Sequence, residues 1–130
     1  MGLQMLVSTV NQDVRSLAER MNMETDAIVI NQCGCFGYEE YSHKGHTVRC
    51  YILKERGVGL SRNSALMRAE GELCLFSDED IVYDTGYAGK IEEAFRNHRD
   101  ADMILFNVKL APSRKTYWNE GEKRVRWYNY

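Results

Sequence analysis

One proline in 130 residues, no apolar run as long as 18, and a net charge of only −2 exclude several classes of protein at once. Without a long apolar run there is no candidate membrane-spanning helix. The N-terminus lacks the charged-then-apolar layout of a signal peptide, so a cytoplasmic chain without a membrane span is the expectation. A near-neutral charge balance supplies no global attraction to nucleic acid, which is not expected as a partner. Four cysteines, Cys33, Cys35, Cys50 and Cys74, do not make a disulfide framework at this length. Cys74, inside an apolar stretch, reads as a small buried hydrophobe. Internal repeats and low-complexity segments are missing as well.

The charge that is present is unevenly distributed. Residues 113–130 hold five Lys/Arg against two Glu, together with Tyr117, Trp118, Trp127, Tyr128 and Tyr130. The preceding 112 residues carry 12 basic and 17 acidic side chains, a net −5. Pro112 stands at the border, which divides the chain into an α/β domain, residues 1–112, and a basic aromatic tail, residues 113–130. The tail suits a β-hairpin packed on the domain, or a stacking surface for bases or sugar rings.

Within the first part, short apolar runs alternate with helical periodicity. Met5–Val10, Ala27–Ile30, Thr47–Leu53, Glu72–Phe76 and Met103–Asn107 have the length and β-branched content of buried strands. Val14, Leu17, Ala18 and Met21 repeat at i, i+3, i+4, i+7 behind Asn11 or Asp13 as a cap. A second helix starts in Gly57-Val-Gly-Leu-Ser-Arg-Asn. A third, capped by Asp84, carries Tyr87, Ala88, Ile91, Ala94, Phe95 and His98 on one face. His98 reads as a satisfied core residue. Residues 32–45, with three glycines among mixed polar groups, read as a loop. Strands alternating with amphipathic helices predict a three-layer α/β fold with a mainly parallel sheet. Ligands of such sheets bind beyond the carboxyl ends of the strands.

The chemistry gathers at one of those ends. Leu73–Phe76 runs into Ser77 and three adjacent carboxylates, Asp78, Glu79 and Asp80. Three acids in a row repel one another, and a divalent cation relieves that repulsion; hard oxygen ligands suit Mg²⁺ or Mn²⁺, with substrate phosphates completing the shell. The alternative is a solvated acidic turn. Extended alternation would point Asp78 and Asp80 one way and Glu79 the other. Gly57-Val-Gly at a helix start offers backbone N–H groups to an anion, and Arg62 and Asn63 follow one turn later. Taken alone, that Gly-x-Gly reads as an ordinary flexible loop. Cys33, Cys35, His43, His46 and Cys50 lie close in sequence, but Cys-x-Cys and His-x-x-His are tighter than structural zinc spacings.

Taken together these segments resemble the family 2 glycosyltransferases, in the branch that builds bacterial capsule or surface polysaccharide. The resemblance rests on strand-Ser8-Thr9, strand-Asn31-Gln32, Glu55-Arg-Gly-Val-Gly-Leu-Ser-Arg-Asn-Ser-Ala, and Ala69-Glu-Gly-Glu-Leu-Cys-Leu-Phe-Ser-Asp-Glu-Asp-Ile. It covers roughly residues 4–110. It implies a Rossmann-like GT-A domain that binds a nucleotide-diphosphate sugar and passes the sugar, with inversion, to a saccharide or lipid-linked acceptor. Mn²⁺ or Mg²⁺ would hold the diphosphate. Thr9, Asn31, Gln32, Arg62, Asn63 and Asp78 fall at nucleotide-binding positions, and Asp78, Glu79 and Asp80 at the metal-binding motif. Anchoring on Ile81 selects Glu79 as the metal ligand, whereas a literal Asp-x-Asp selects Asp78 and Asp80. Asn31-Gln32 stands where the family usually has a base-contacting Asp. The family places its acceptor site and catalytic base in a second half, so the chain reads either as truncated, with residues 113–130 as the start of that half, or as one whose acceptor half comes from elsewhere; a homodimer through the tail is one consequence. No residue is identified as the base. Two other readings are a non-catalytic nucleotide-sugar-binding module and a partner-binding protein acting through the tail.

Overall fold

The computed structural model describes residues 2–106. Residues 2–98 form one compact unit, and 99–106 belong to a second. The first unit contains β1 (Leu3–Val10), α1 (Val14–Met21), β2 (Asp26–Gln32), β3 (Gly37–His43), β4 (His46–Leu53), α2 (Val58–Arg68), β5 (Leu73–Asp78) and α3 (Tyr87–Asn97). The five strands make one sheet in the order β3-β4-β2-β1-β5, parallel except for β3. It is an α/β fold with a mixed, mostly parallel sheet and three helices.

Alternation along the strands separates two cores. Leu3, Met5, Val7, Ala27, Val29, Val48 and Cys50 face one side, where α1 adds Val14, Leu17, Ala18 and Met21 and α3 adds Tyr87 and Ile91. Leu6, Ile28 and Ile30 face the other side, against Ala65 of α2. Helices therefore cover both faces, the three-layer arrangement expected from the sequence. β1 is an interior strand with both faces apolar, pairing with β2 on one side and β5 on the other.

The helix starts and ends follow local chemistry. Asp13 caps α1, accepting the Arg15 N–H at 3.3 Å. Asn22 ends α1 in the left-handed region, φ 56°, and its amide donates to the Tyr83 carbonyl at 2.9 Å. Asp84 does not cap α3. The cap is Gly86, φ 82°, and Asp84 instead accepts the Tyr87 N–H on its carbonyl at 3.2 Å, two residues before the cap position.

Three further expectations need correction. Residues 37–43 are a strand, not loop. β3 turns into β4 through Lys44 and Gly45, both at positive φ (51° and 80°), the signature of a tight two-residue hairpin turn. Its sequence, Gly-Tyr-Glu-Glu-Tyr-Ser-His, hides it because an edge strand is mostly exposed and needs no apolar alternation. Only Tyr41 reaches the core, where its hydroxyl donates to the Val14 carbonyl at 2.6 Å and burial pushes its pKa up to about 12. Met103–Phe106 are not a strand, and no described strand pairs with them. Periodicity signals a capacity for pairing, but a ladder needs a neighbour. Asn107, Pro112 and the tail from 113 to 130 lie outside the described residues.

Cys74 is the third correction. It lies on the α2 side of β5, the last strand in the described sheet, and is exposed, as is Cys35; Cys50 is buried in β4. Burial pushes the Cys50 thiol up to about 12. Since a raised folded-state pKa disfavours the thiolate of the native protein, Cys50 stays an unreactive thiol near pH 8 until the chain unfolds. Partial burial also raises the Cys74 thiol, but it remains accessible, so in thiol titration of the native protein Cys74→Ser is expected to remove one reacting equivalent and Cys50→Ser none. A buried Cys74 would give no change for either.

Gly71 shows why a small residue precedes β5. A Cβ there would sit 2.8 Å from Cβ of Gln4 and 3.0 Å from the Gly2 and Leu73 carbonyl oxygens. Gln4 Oε1 accepts the N–H groups of Glu70 and Gly71 at 2.7 and 3.2 Å, which draws the segments together. Because those neighbours are backbone or the root of a side chain, Gly71→Ala is expected to cost about 1–3 kcal/mol in urea unfolding, through overpacking.

Candidate functional site

The carboxyl ends of β1, β2 and β5 and the first turn of α2 enclose a cleft of about 290 Å³, lined by Ser8, Thr9, Val10, Gln32, Val58, Asp78, Glu79 and Asp80. Its place follows from topology. From β1 the chain moves outward to β2 and then β4, after which α2 crosses back so that β5 lies on the opposite side of β1. Such a reversal leaves a crevice at the strand ends, where open α/β sheets take their ligands. A second hollow, of about 250 Å³, lies at the opposite strand ends against Gln4, Asp26, Arg49 and Glu70; it gathers none of the candidate nucleotide- or metal-binding residues.

All three carboxylates line the same cleft, which simple alternation did not predict. β5 ends at Asp78, and Glu79 and Asp80 lie in a turn where the Ile81 N–H reaches the Asp78 carbonyl at 3.4 Å. The turn gathers side chains that a continued strand would have sent to opposite faces. Glu79 is half-buried and accepts a hydrogen bond from the Thr9 hydroxyl across the β1–β5 boundary. Asp78 pairs with Arg62 of α2, Nη2 to Oδ1 at 3.3 Å. Those side chains are 59% and 50% exposed, so the pair adds at most about 1 kcal/mol to stability and yields readily to a stronger partner.

The donor set is hard, anionic oxygen, which suits Mg²⁺ or Mn²⁺. No group of three or more His, Cys, Asp or Glu among the described residues converges on a metal position. The fit is therefore to a cation held by one or two carboxylates, with phosphates and water filling the remaining positions, as Mg²⁺ sites commonly are. Cys33, Cys35, His43, His46 and Cys50 do not form a cluster either. His43 and His46 pair across the hairpin mouth, but each faces a carboxylate, Glu19 and Asp26 respectively, at 3.8 Å. His98 follows the last turn of α3 and is half-buried.

The amide residues take different places. Gln32 lines the cleft and donates from Nε2 to the Gly57 carbonyl at 3.1 Å, tying the end of β2 to the start of α2. Asn31 is buried at 4% exposure and is spent on the backbone: its Oδ1 accepts the Gln12 N–H at 3.2 Å and its Nδ2 donates to the Gln12 carbonyl at 2.8 Å. An aspartate could not make the second bond. That geometry supplies a physical reason for an amide here, where the resembled family usually carries an acid. Asn63 is exposed on α2 and is not among the residues lining the cleft. Among the cleft walls, Ser8 and Val58 lie within segments the sequence already marked, strand-Ser8-Thr9 and Gly57-Val-Gly, whereas Val10 was missed although its strand-end position was an available signal.

Ser61 adds a further feature. It is buried beneath α2 at 1% exposure, and its hydroxyl has no hydrogen-bond partner. An unsatisfied buried hydroxyl costs stability, and alanine is a better helix former. Ser61→Ala is expected to stabilise the protein by about 1 kcal/mol, read as a higher urea midpoint at unchanged slope.

Comparisons with models of known protein families, with curated proteins and with solved structures find no significant match. A functional reading of this chain therefore rests on the cleft and its residues. Among the described residues no helix is long and apolar enough to cross a membrane.

Proposed function

We propose that this chain is the donor-binding part of a glycosyltransferase of family 2 type, with a GT-A-like domain that holds a nucleotide-diphosphate sugar. One observation carries the reading: three carboxylates, a helix start and a strand-end threonine meet in a single cleft at the reversal point of a parallel sheet. A nucleoside diphosphate needs positive charge on its phosphates and polar groups on its base and ribose. Arg62 supplies a guanidinium beside Asp78, and α2 begins at Val58, on the cleft wall, where a helix start leaves backbone N–H groups without an intrahelical acceptor. Thr9 and Gln32 supply hydrogen-bonding side chains at the cleft wall.

Asp78 and Asp80, with Glu79 as the other candidate, would hold Mn²⁺ or Mg²⁺. When bound, the cation neutralises charge that builds on the diphosphate leaving group. The chain's own residues position the donor: Thr9 keeps Glu79 against β1, and Gln32 keeps the α2 start in register with β2. Asn31 fixes the β1–α1 loop from beneath. The acceptor, a saccharide or lipid-linked saccharide, and the base that activates it are not assigned to any described residue. Surface-polysaccharide synthesis is the setting that the sequence resemblance favours.

The test is calorimetric titration of the purified chain with UDP, GDP, ADP and CDP, each with Mn²⁺ and again with EDTA. Saturable, metal-dependent binding of one of them is expected and identifies the base. Failure of all four to bind would refute the donor-site reading. Release of free sugar from the matching donor would separate an active transferase domain from a non-catalytic binding module.

A further inference from the structure

The charge arrangement around Asp78 carries an inference that rests on the donor-site reading and deepens it. We propose that Arg62 is a transferable counter-ion: it holds Asp78 before ligands arrive, cedes that carboxylate to the divalent cation, and then pairs with the diphosphate. Cation and nucleotide would consequently bind cooperatively through one side chain.

The geometry supplies each step. The Arg62 contact to Asp78 is single, 3.3 Å long and half-exposed at both ends, which makes it a weak ion pair. A divalent cation binds carboxylate oxygen at about 2.0–2.6 Å, and its charge repels a guanidinium held on the same group. Displacement therefore follows from simple competition. The released guanidinium has a suitable destination. Arg62 lies four residues after Val58, about 6 Å along the axis of α2. Val58 itself lines the cleft. A diphosphate drawn to that wall by the cation comes within reach of a planar fork that binds phosphate oxygens in pairs. The rest of the acidic turn is held separately, since Glu79 takes its hydrogen bond from Thr9 rather than from Arg62. Arg62 can thus move without dismantling the turn.

The exchange predicts effects of opposite sign from one variant. In Mn²⁺ titrations of the full chain without nucleotide, Arg62→Gln is expected to bind Mn²⁺ about 2–5-fold more tightly than the wild type, because a competing cation is gone. In the presence of Mn²⁺, the same variant is expected to bind UDP, or whichever diphosphate the wild type prefers, at least about tenfold more weakly. Asp78→Asn gives an independent arm: with EDTA present it is expected to bind that nucleotide more tightly than the wild type, since Arg62 is no longer engaged. Unchanged or weaker Mn²⁺ binding by Arg62→Gln would overturn the exchange while leaving the donor site intact if the wild type still shows metal-dependent nucleotide binding. A wild type that binds neither Mn²⁺ nor nucleotide would overturn both.

Discussion

Replacing Asp78 and Asp80 together by alanine is expected to abolish Mn²⁺-dependent nucleotide binding, with a loss beyond about 100-fold, while the protein stays folded. Both side chains are exposed at the end of β5 and neither belongs to the two apolar cores. Surface replacements of that kind usually change stability by no more than about 0.5 kcal/mol. The functional cost is larger in kind. A cation bound through one or two carboxylates loses its anchorage when both are truncated, and even supporting groups around metal sites are commonly worth about 10–100-fold. Single variants resolve the register of the motif. If the literal Asp-x-Asp holds the cation, Asp80→Ala is severe and Glu79→Gln mild; if Glu79 is the ligand, the order reverses. Glu79→Gln keeps an acceptor for the Thr9 hydroxyl, so it removes charge with little loss of local structure. Unfolding in urea, run beside the titrations, separates lost binding from lost fold. Unchanged nucleotide affinity in the folded double variant would remove the acidic turn from the site.

Leu17→Ala is expected to be the most damaging of the single core replacements considered, at about 2–5 kcal/mol. Leu17 is fully buried in the middle of α1, between Val14 and Met21 on the one face that the helix buries. An eight-residue helix has no independent stability in water, so α1 exists because that face packs on the sheet. Truncating Leu17 removes apolar burial and leaves a cavity between α1 and the strands. Because folded domains are stable by only about 5–15 kcal/mol, this loss is a large share of the whole. The effect also reaches the cleft. α1 follows the loop that Asn31 clamps through Gln12, and that loop leaves β1 directly after Val10, which lines the cleft. Nucleotide affinity is therefore expected to fall together with the urea midpoint. Ser16→Ala, on the exposed face of the same helix, serves as the control and should shift stability by less than about 0.5 kcal/mol.

What the sequence determined by itself was the set of elements whose signal is local. The apolar runs of β1, β2, β4 and β5 and the 3.6-residue spacing of α1 and α3 are written in side-chain period, because one buried face of a helix or strand needs it, whereas α2 was marked only by the glycine-rich loop before it. The position of the acidic residues at the end of β5 was legible for the same reason, as was the alternation of strand and helix that makes the sheet largely parallel. Tertiary structure decided what depends on neighbours. β3 exists because Lys44 and Gly45 turn the chain back onto β4, while its exposed, acidic sequence has no core to record. Cys74 is exposed because β5 is the last strand in the described sheet, and apolar neighbours in sequence do not reveal which strand lies at an edge. Glu79 and Asp80 join Asp78 in one cleft because the strand stops and turns there, whereas alternation alone would have separated them. Asn31, legible as a strand-end amide, proves to hold backbone beneath the cleft instead of lining it, since an amide's donor and acceptor find their partners only once β1 and β2 lie side by side.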